Sequence, residues 1–126
     1  MVSGHVPQPW VFVVEQNKVV RSSIIKRLKR EKFPVQAFES GESLLDTLRH
    51  AHPDVVLLDY DMPGLTGEQT LEEMHKMGLC FPVVLLTAHG DRVKVSTRNY
   101  QGSVVMVTKS LELEDIVRVV QGAMTA

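Results

Sequence analysis

The stretch VVLLDYDMPGLTG, residues 55–67, is a wholly apolar run that ends on a carboxylate, Asp59, offers a second, Asp61, and breaks at Pro63-Gly64. A strand buried on both faces reads as such a run, so Asp59 is expected where the chain leaves the core at the strand's carboxyl end. Similar endings recur. WVFVV (10–14) is followed by Glu15 and Gln16, PVVLLT (82–87) ends on Thr87 with His89 just beyond, and SVVMV (103–107) leads to Lys109. Carboxylates, a hydroxyl and a lysine on one sheet edge suit a hard cation together with a phosphoryl group. The cation and the ammonium offset the repulsion that an attacking carboxylate meets from anionic phosphoryl oxygens. Singly, each residue has a plainer reading: Asp59 capping the turn in DMPG through an Asx interaction, Thr87 a β-branched strand end, Lys109 a solvated charge. The joint pattern points to chemistry.

The elements that must bring these residues together alternate between two periodicities. The runs 10–14, 34–38, 54–59, 82–87 and 103–107 are short, β-branched and bounded by turn or polar residues, which predicts five strands. Between them, Val20, Ile24 and Leu28 share one helical face, and Leu44, Leu45 and Leu48 follow Ser40, a fitting N-cap. Leu71 and Met74 mark a third helix, while Leu113, Ile116, Val117, Val120 and Met124 mark the last. Residues 90–101 are a marginal helix, because Val93, Val95, Ser96 and Thr97 are poor helix formers. This segment and its loops are expected to be the most mobile part of the fold. Parallel strands with right-handed crossovers then place helices on both faces and all strand carboxyl ends on one edge, where open α/β sheets keep their ligands. One domain over residues 1–126 is expected, with 1–8 a flexible N-terminal extension.

Composition narrows the partners. With 126 residues and 44% hydrophobic content the chain can bury a core without disulfides. A formal net charge of -1 gives no general pull toward nucleic acid or anionic membrane, and direct binding to either is not expected. No apolar run approaches a membrane span and the start carries no signal-peptide pattern, so a cytoplasmic location is expected. Cys80, between Leu79 and Phe81, reads as a small buried side chain. His50 and His52 face no common side of a helix, and the other histidines are scattered, against a histidine metal site. The basic cluster KRLKREK, 26–32, reads as a solvated face.

The residues Asp59 in VVLLDYDMPGLTG, Thr87 in VVLLTAHGD and Lys109 in VVMVTK together resemble the receiver domain of bacterial two-component response regulators, across nearly the whole chain. FESGESLL and LTAHGD look most like the branch whose receivers precede helix-turn-helix DNA-binding domains. The resemblance implies a flavodoxin-like (βα)5 three-layer sandwich with a parallel sheet of order 2-1-3-4-5. It implies that Asp59 accepts phosphate from a histidine kinase or phosphotransfer protein, that Thr87 follows the phosphoryl group, and that Lys109 pairs with its oxygens. The expected cofactor is Mg²⁺, with Asp59, Glu15, Asp61 and, weakly, Gln16 as its ligands. Output is expected through a covalently attached domain or a homodimer, on a surface of the 90–101 segment, the fifth strand and the last helix.

Departures from the family pattern matter as much. The usual two acids after strand one read Glu15-Gln16, which removes a directly ligating carboxylate, so Mg²⁺ is expected to bind weakly. Ser110 follows the lysine where proline is usual, and a trans bond is expected there. Met106 stands at the position of the aromatic that commonly swings on activation, and His89 sits at the lip of the proposed site. Two alternatives stay open: a degenerate receiver that binds partners without efficient phosphorylation, and a small aspartate-nucleophile phosphatase, since Asp59 and Asp61 have D-x-D spacing. The second is opposed by Pro63, by the helical LELED after the lysine strand, and by a length too short for a substrate-closing cap.

Overall fold

The computed structural model describes residues 9–88, 100–109 and 113–125. Five strands, β1 (Val11–Val14), β2 (Val35–Phe38), β3 (Val55–Asp59), β4 (Val83–Thr87) and β5 (Val104–Thr108), form one sheet of order β2-β1-β3-β4-β5, with every pairing parallel. Four described helices accompany them: α1 (Lys18–Arg30), α2 (Gly41–Leu48), α3 (Gly67–Lys76) and α4 (Leu113–Thr125).

The apolar run of β3 is explained by what lies on its two faces. Val55 and Leu57 join a core of Val11, Val13, Ile24, Leu28, Ile116 and Val120, beneath α1 and α4. Val56 and Leu58 join Phe12, Val14, Leu44, Leu48, Leu71 and Met74, beneath α2 and α3. Side chains alternate across a strand, so a strand covered on both sides needs an apolar residue at every position.

Helix starts are fixed by capping. Asn17 Oδ1 accepts from Val20 N–H at the head of α1, and Ser40 Oγ accepts from Ser43 N–H at the head of α2. Thr66 and Gln69 exchange hydrogen bonds in a capping box at α3. Gly67 lets α3 start hard against the sheet. A Cβ there would lie 2.8 Å from both Leu85 Cδ1 and Tyr60 Cα, and 2.9 Å from the Asp59 carbonyl oxygen.

Each strand begins one residue later than expected, and β5 also ends one residue later, at Thr108. Two burial expectations are corrected. Cys80 is exposed: in the loop before β4 its neighbours Leu79 and Phe81 both turn inward, and alternation sends the residue between them outward. Val20, expected on the covered face of α1, is 40% exposed, because in the first turn of the helix it lines a small open cavity, with Ile24, Leu86 and Ile116 below it and Glu15 and Lys109 at the carboxyl edge of the sheet. The helix expected over 90–101 falls on residues outside the described set except Tyr100 and Gln101, which are not helical. Residues 1–8, His89 and Ser110 also lie outside it.

Candidate functional site

Strand register gathers the predicted residues at one sheet edge. Asp59 pairs with Leu86, Thr87 with Thr108, and Lys109 N–H donates to the Thr87 carbonyl at 2.8 Å. Glu15 N–H donates to the Phe38 carbonyl at 3.0 Å, which seats it at the end of β1.

Asp59 and Glu15 are each 1% exposed, and between them stands Lys109. Its Nζ lies 2.8 Å from Asp59 Oδ1 and 3.4 Å from Glu15 Oε1. Asp59 Oδ1 also accepts from the Asp61 N–H at 3.2 Å, so the Asx contact foreseen as the plainer role is present together with the lysine pair. Asp59 Oδ2 and Glu15 Oε1 are buried without a hydrogen-bond partner. Burial pushes the Asp59 carboxyl up to about 6; the Lys109 hydrogen bond opposes the rise and the Glu15 charge adds to it. For Lys109 partial burial lowers the pKa, but the hydrogen bond to Asp59 and the two carboxylate charges outweigh it and hold the ammonium above its usual range.

The remaining predicted residues are placed differently. Thr87 is 1% exposed at the end of β4. Asp61 is exposed, and its Oδ2 accepts from the Ala88 N–H at 3.3 Å, so its side chain reaches across to the loop after β4. Gln16 is exposed beside the buried Glu15. Met106 is 39% exposed on β5. Among the described residues no group of three or more His, Cys, Asp or Glu side chains is gathered to hold a metal ion. Sequence reasoning missed Arg21, whose Nη1 donates to the carbonyl oxygens of Glu15 at 2.7 Å and Gln16 at 3.2 Å. The available signal was a basic first turn in α1, with no acid, where the helix macrodipole favours acids.

A doubly wound parallel sheet with buried carboxylates and a lysine at its carboxyl edge defines a class of α/β domains that handle charged groups at that edge. Within that class, the profile of the response regulator receiver domain matches residues 11–122, and the chain belongs to this family. It is 28% identical over 114 residues to the DNA-binding transcriptional regulator NtrC of Klebsiella pneumoniae, covering 90% of this chain and 24% of that one. It is 32% identical over 105 residues to the transcriptional regulatory protein CseB of Streptomyces coelicolor, covering 83% and 44%. The chain thus spans about a quarter of the length of the NtrC relatives it matches. The fold is shared with the receiver domain of the Francisella response regulator 1452, at a TM-score of 0.79, 23% identity and coverage of 94% and 98%. It is also shared with the Vibrio cholerae chemotaxis protein CheY4, at 0.82, 19%, and coverage of 92% and 98%. No described helix is long and apolar enough to cross a membrane.

Proposed function

We propose that this receiver domain is a phosphoacceptor, with Asp59 taking a phosphoryl group from the phosphohistidine of a histidine kinase or phosphotransfer protein. An Asp59 carboxylate oxygen forms the new bond to phosphorus as the phosphorus–nitrogen bond breaks, and the electron pair leaves with the imidazole nitrogen. The observation that carries the reading is the state of the Asp59 carboxylate: buried, with Oδ1 on Lys109 and Oδ2 without a partner. A carboxyl held near 6 is mostly ionised at neutral pH and more basic than an exposed aspartate, both of which favour attack. Lys109 then moves its hydrogen bond from Asp59 to a phosphoryl oxygen, and Thr87 supplies a hydroxyl from the neighbouring strand.

The donor set fits a hard cation: every candidate atom is oxygen, and the buried, unpartnered Asp59 Oδ2 is the kind of atom such an ion takes. Asp59, Glu15 and the exposed Gln16 would hold Mg²⁺, whose charge would offset that of the phosphoryl oxygens when bound. Asp61, turned toward Ala88, contributes chiefly charge. Only two carboxylates are buried at this point, so weak binding is the expectation carried forward.

Output is proposed to pass through β5, where Val105 and Met106 stand 37% and 39% exposed, to an attached domain or a second copy of the chain. A second reading, a receiver that binds partners without efficient phosphorylation, is favoured by the exposed amide of Gln16 where the family usually places an acid. Intact mass after incubation with acetyl phosphate and Mg²⁺ separates the two. A phosphoryl mass gain that disappears in Asp59→Asn supports phosphoacceptance; no gain under conditions that modify a control receiver supports the binding module.

A further inference from the structure

The β1–α1 corner is fastened three times over. Arg21 Nη1 holds the carbonyls of Glu15 and Gln16, Glu15 Oε2 accepts from the Asn17 N–H at 2.9 Å, and Asn17 Oδ1 accepts from the Val20 N–H at 3.0 Å. A guanidinium is misplaced near a helix N-terminus on electrostatic grounds, since the macrodipole there repels cations and α1 has no acid in its first turn to compensate. The two carbonyls account for its position. They also set the position of Glu15. With the backbone held at its carbonyl and Oε2 committed to Asn17, the carboxylate leaves Oε1 facing Lys109 at 3.4 Å, buried and without a hydrogen bond. Lys109 is therefore shared between two carboxylates.

We propose that Arg21 is a positioning residue for the chemistry of Asp59: by clamping the Glu15–Gln16 backbone it keeps Glu15 beside Lys109, so that the ammonium bonded to Asp59 also faces a second carboxylate. The second carboxylate, 3.4 Å away, keeps the ammonium at the site when its hydrogen bond passes from Asp59 to an incoming phosphoryl oxygen. The inference rests on the reading of Asp59 as the phosphoacceptor. The planar guanidinium spans both carbonyls from one nitrogen, whereas a lysine presents a point charge on a flexible stem, so Arg21→Lys restores the clamp only in part.

The test is a double-mutant cycle between Arg21→Met and Glu15→Gln, read as the rate of phosphorylation by acetyl phosphate on folded protein. Because Arg21 acts through Glu15, each single variant is expected to lose roughly tenfold and the double variant no more than Glu15→Gln alone. Arg21→Lys should lie between wild type and Arg21→Met. A second measurement needs no phosphorylation: the Lys109 ammonium resonance in a nitrogen–proton correlation spectrum should shift in the same direction in Arg21→Met and Glu15→Gln. If wild type takes up no phosphate, the phosphoacceptor reading fails, while the ammonium shift still decides whether Arg21 positions Glu15 against Lys109. An Arg21→Met variant with wild-type rate and an unmoved Lys109 resonance overturns the proposal, as do losses that simply multiply in the double variant.

Discussion

Asp61 Oδ2 lies 3.3 Å from the backbone nitrogen of Ala88, tying the loop after β3 to the end of β4. An N–H at that rim is a donor that a phosphoryl oxygen could use, and here a carboxylate already holds it. Asp61→Ala should therefore accelerate labelling by acetyl phosphate, by about fivefold for the roughly 1 kcal/mol of repulsion that one partly solvated charge exerts at close range. A rate equal to or below wild type in a folded variant would count against the contact as a competitor.

The raised Asp59 carboxyl makes stability depend on pH. Its folded value of about 6 exceeds the ordinary 3.8, so the fold favours the protonated form. That contribution is fully present below the lower value and is lost as pH rises through the upper one. Wild type should accordingly lose stability relative to Asp59→Asn between about pH 4 and pH 7, with a ceiling near 3 kcal/mol. Urea denaturation of both proteins across that range is the check, and a difference that grows in the opposite direction would contradict the burial-driven shift.

Removing the lysine leaves two buried carboxylates facing each other. Lys109→Met should abolish phosphorylation and cost roughly 2 kcal/mol at pH 8, less than for a fully buried pair because the lysine side chain is 30% exposed. The cost should shrink at pH 5, where Asp59 takes up a proton. Denaturation midpoints at the two pH values distinguish this from a packing defect, which would be insensitive to pH.

Gly67 marks the closest approach of α3 to the sheet. Two of the atoms that a Cβ would strike are backbone atoms of Tyr60 and Asp59, which cannot swing aside. Gly67→Ala is expected to destabilise by about 1–3 kcal/mol and to slow phosphorylation by shifting Asp59. A neutral effect on both would mean that the loop after β3 yields more readily than its contacts suggest.

Gln16→Asp restores a second acid after β1 at an exposed position, and calorimetric titration should show Mg²⁺ binding severalfold tighter than in wild type. Equal affinity in the two proteins would make Glu15 and Asp59 sufficient ligands by themselves.

The parts of this molecule readable from sequence are those governed by period and position. The apolar run of β3 foretold a strand covered on both faces, and the parallel order places Asp59 and Lys109 within hydrogen-bonding distance, although they lie far apart in the chain. Contacts that follow no period were not readable. Arg21 reaches back to carbonyls five and six residues earlier, and the one hint in the sequence, a cation in a first turn without acids, does not say which backbone groups it binds. Asp61 could be named as a charge at the site, but whether it turns toward the acids or toward Ala88 depends on where the loop after β4 passes. Cys80 was misread because hydrophobic neighbours were taken as a guide to its own burial, when alternation makes them the opposite.

That outward turn of Cys80 makes the native chain its own reporter scaffold. It is the one thiol of these 126 residues and is exposed in the loop before β4, while Thr87 and Asp59 lie at the other end of the sheet, about 15 Å or more away along the strand. A maleimide-linked fluorophore or nitroxide can thus be attached at a single point without any substitution. The tag would sit outside the acid edge, yet close enough for paramagnetic broadening or energy transfer to register movements near Lys109 when a phosphoryl donor is added.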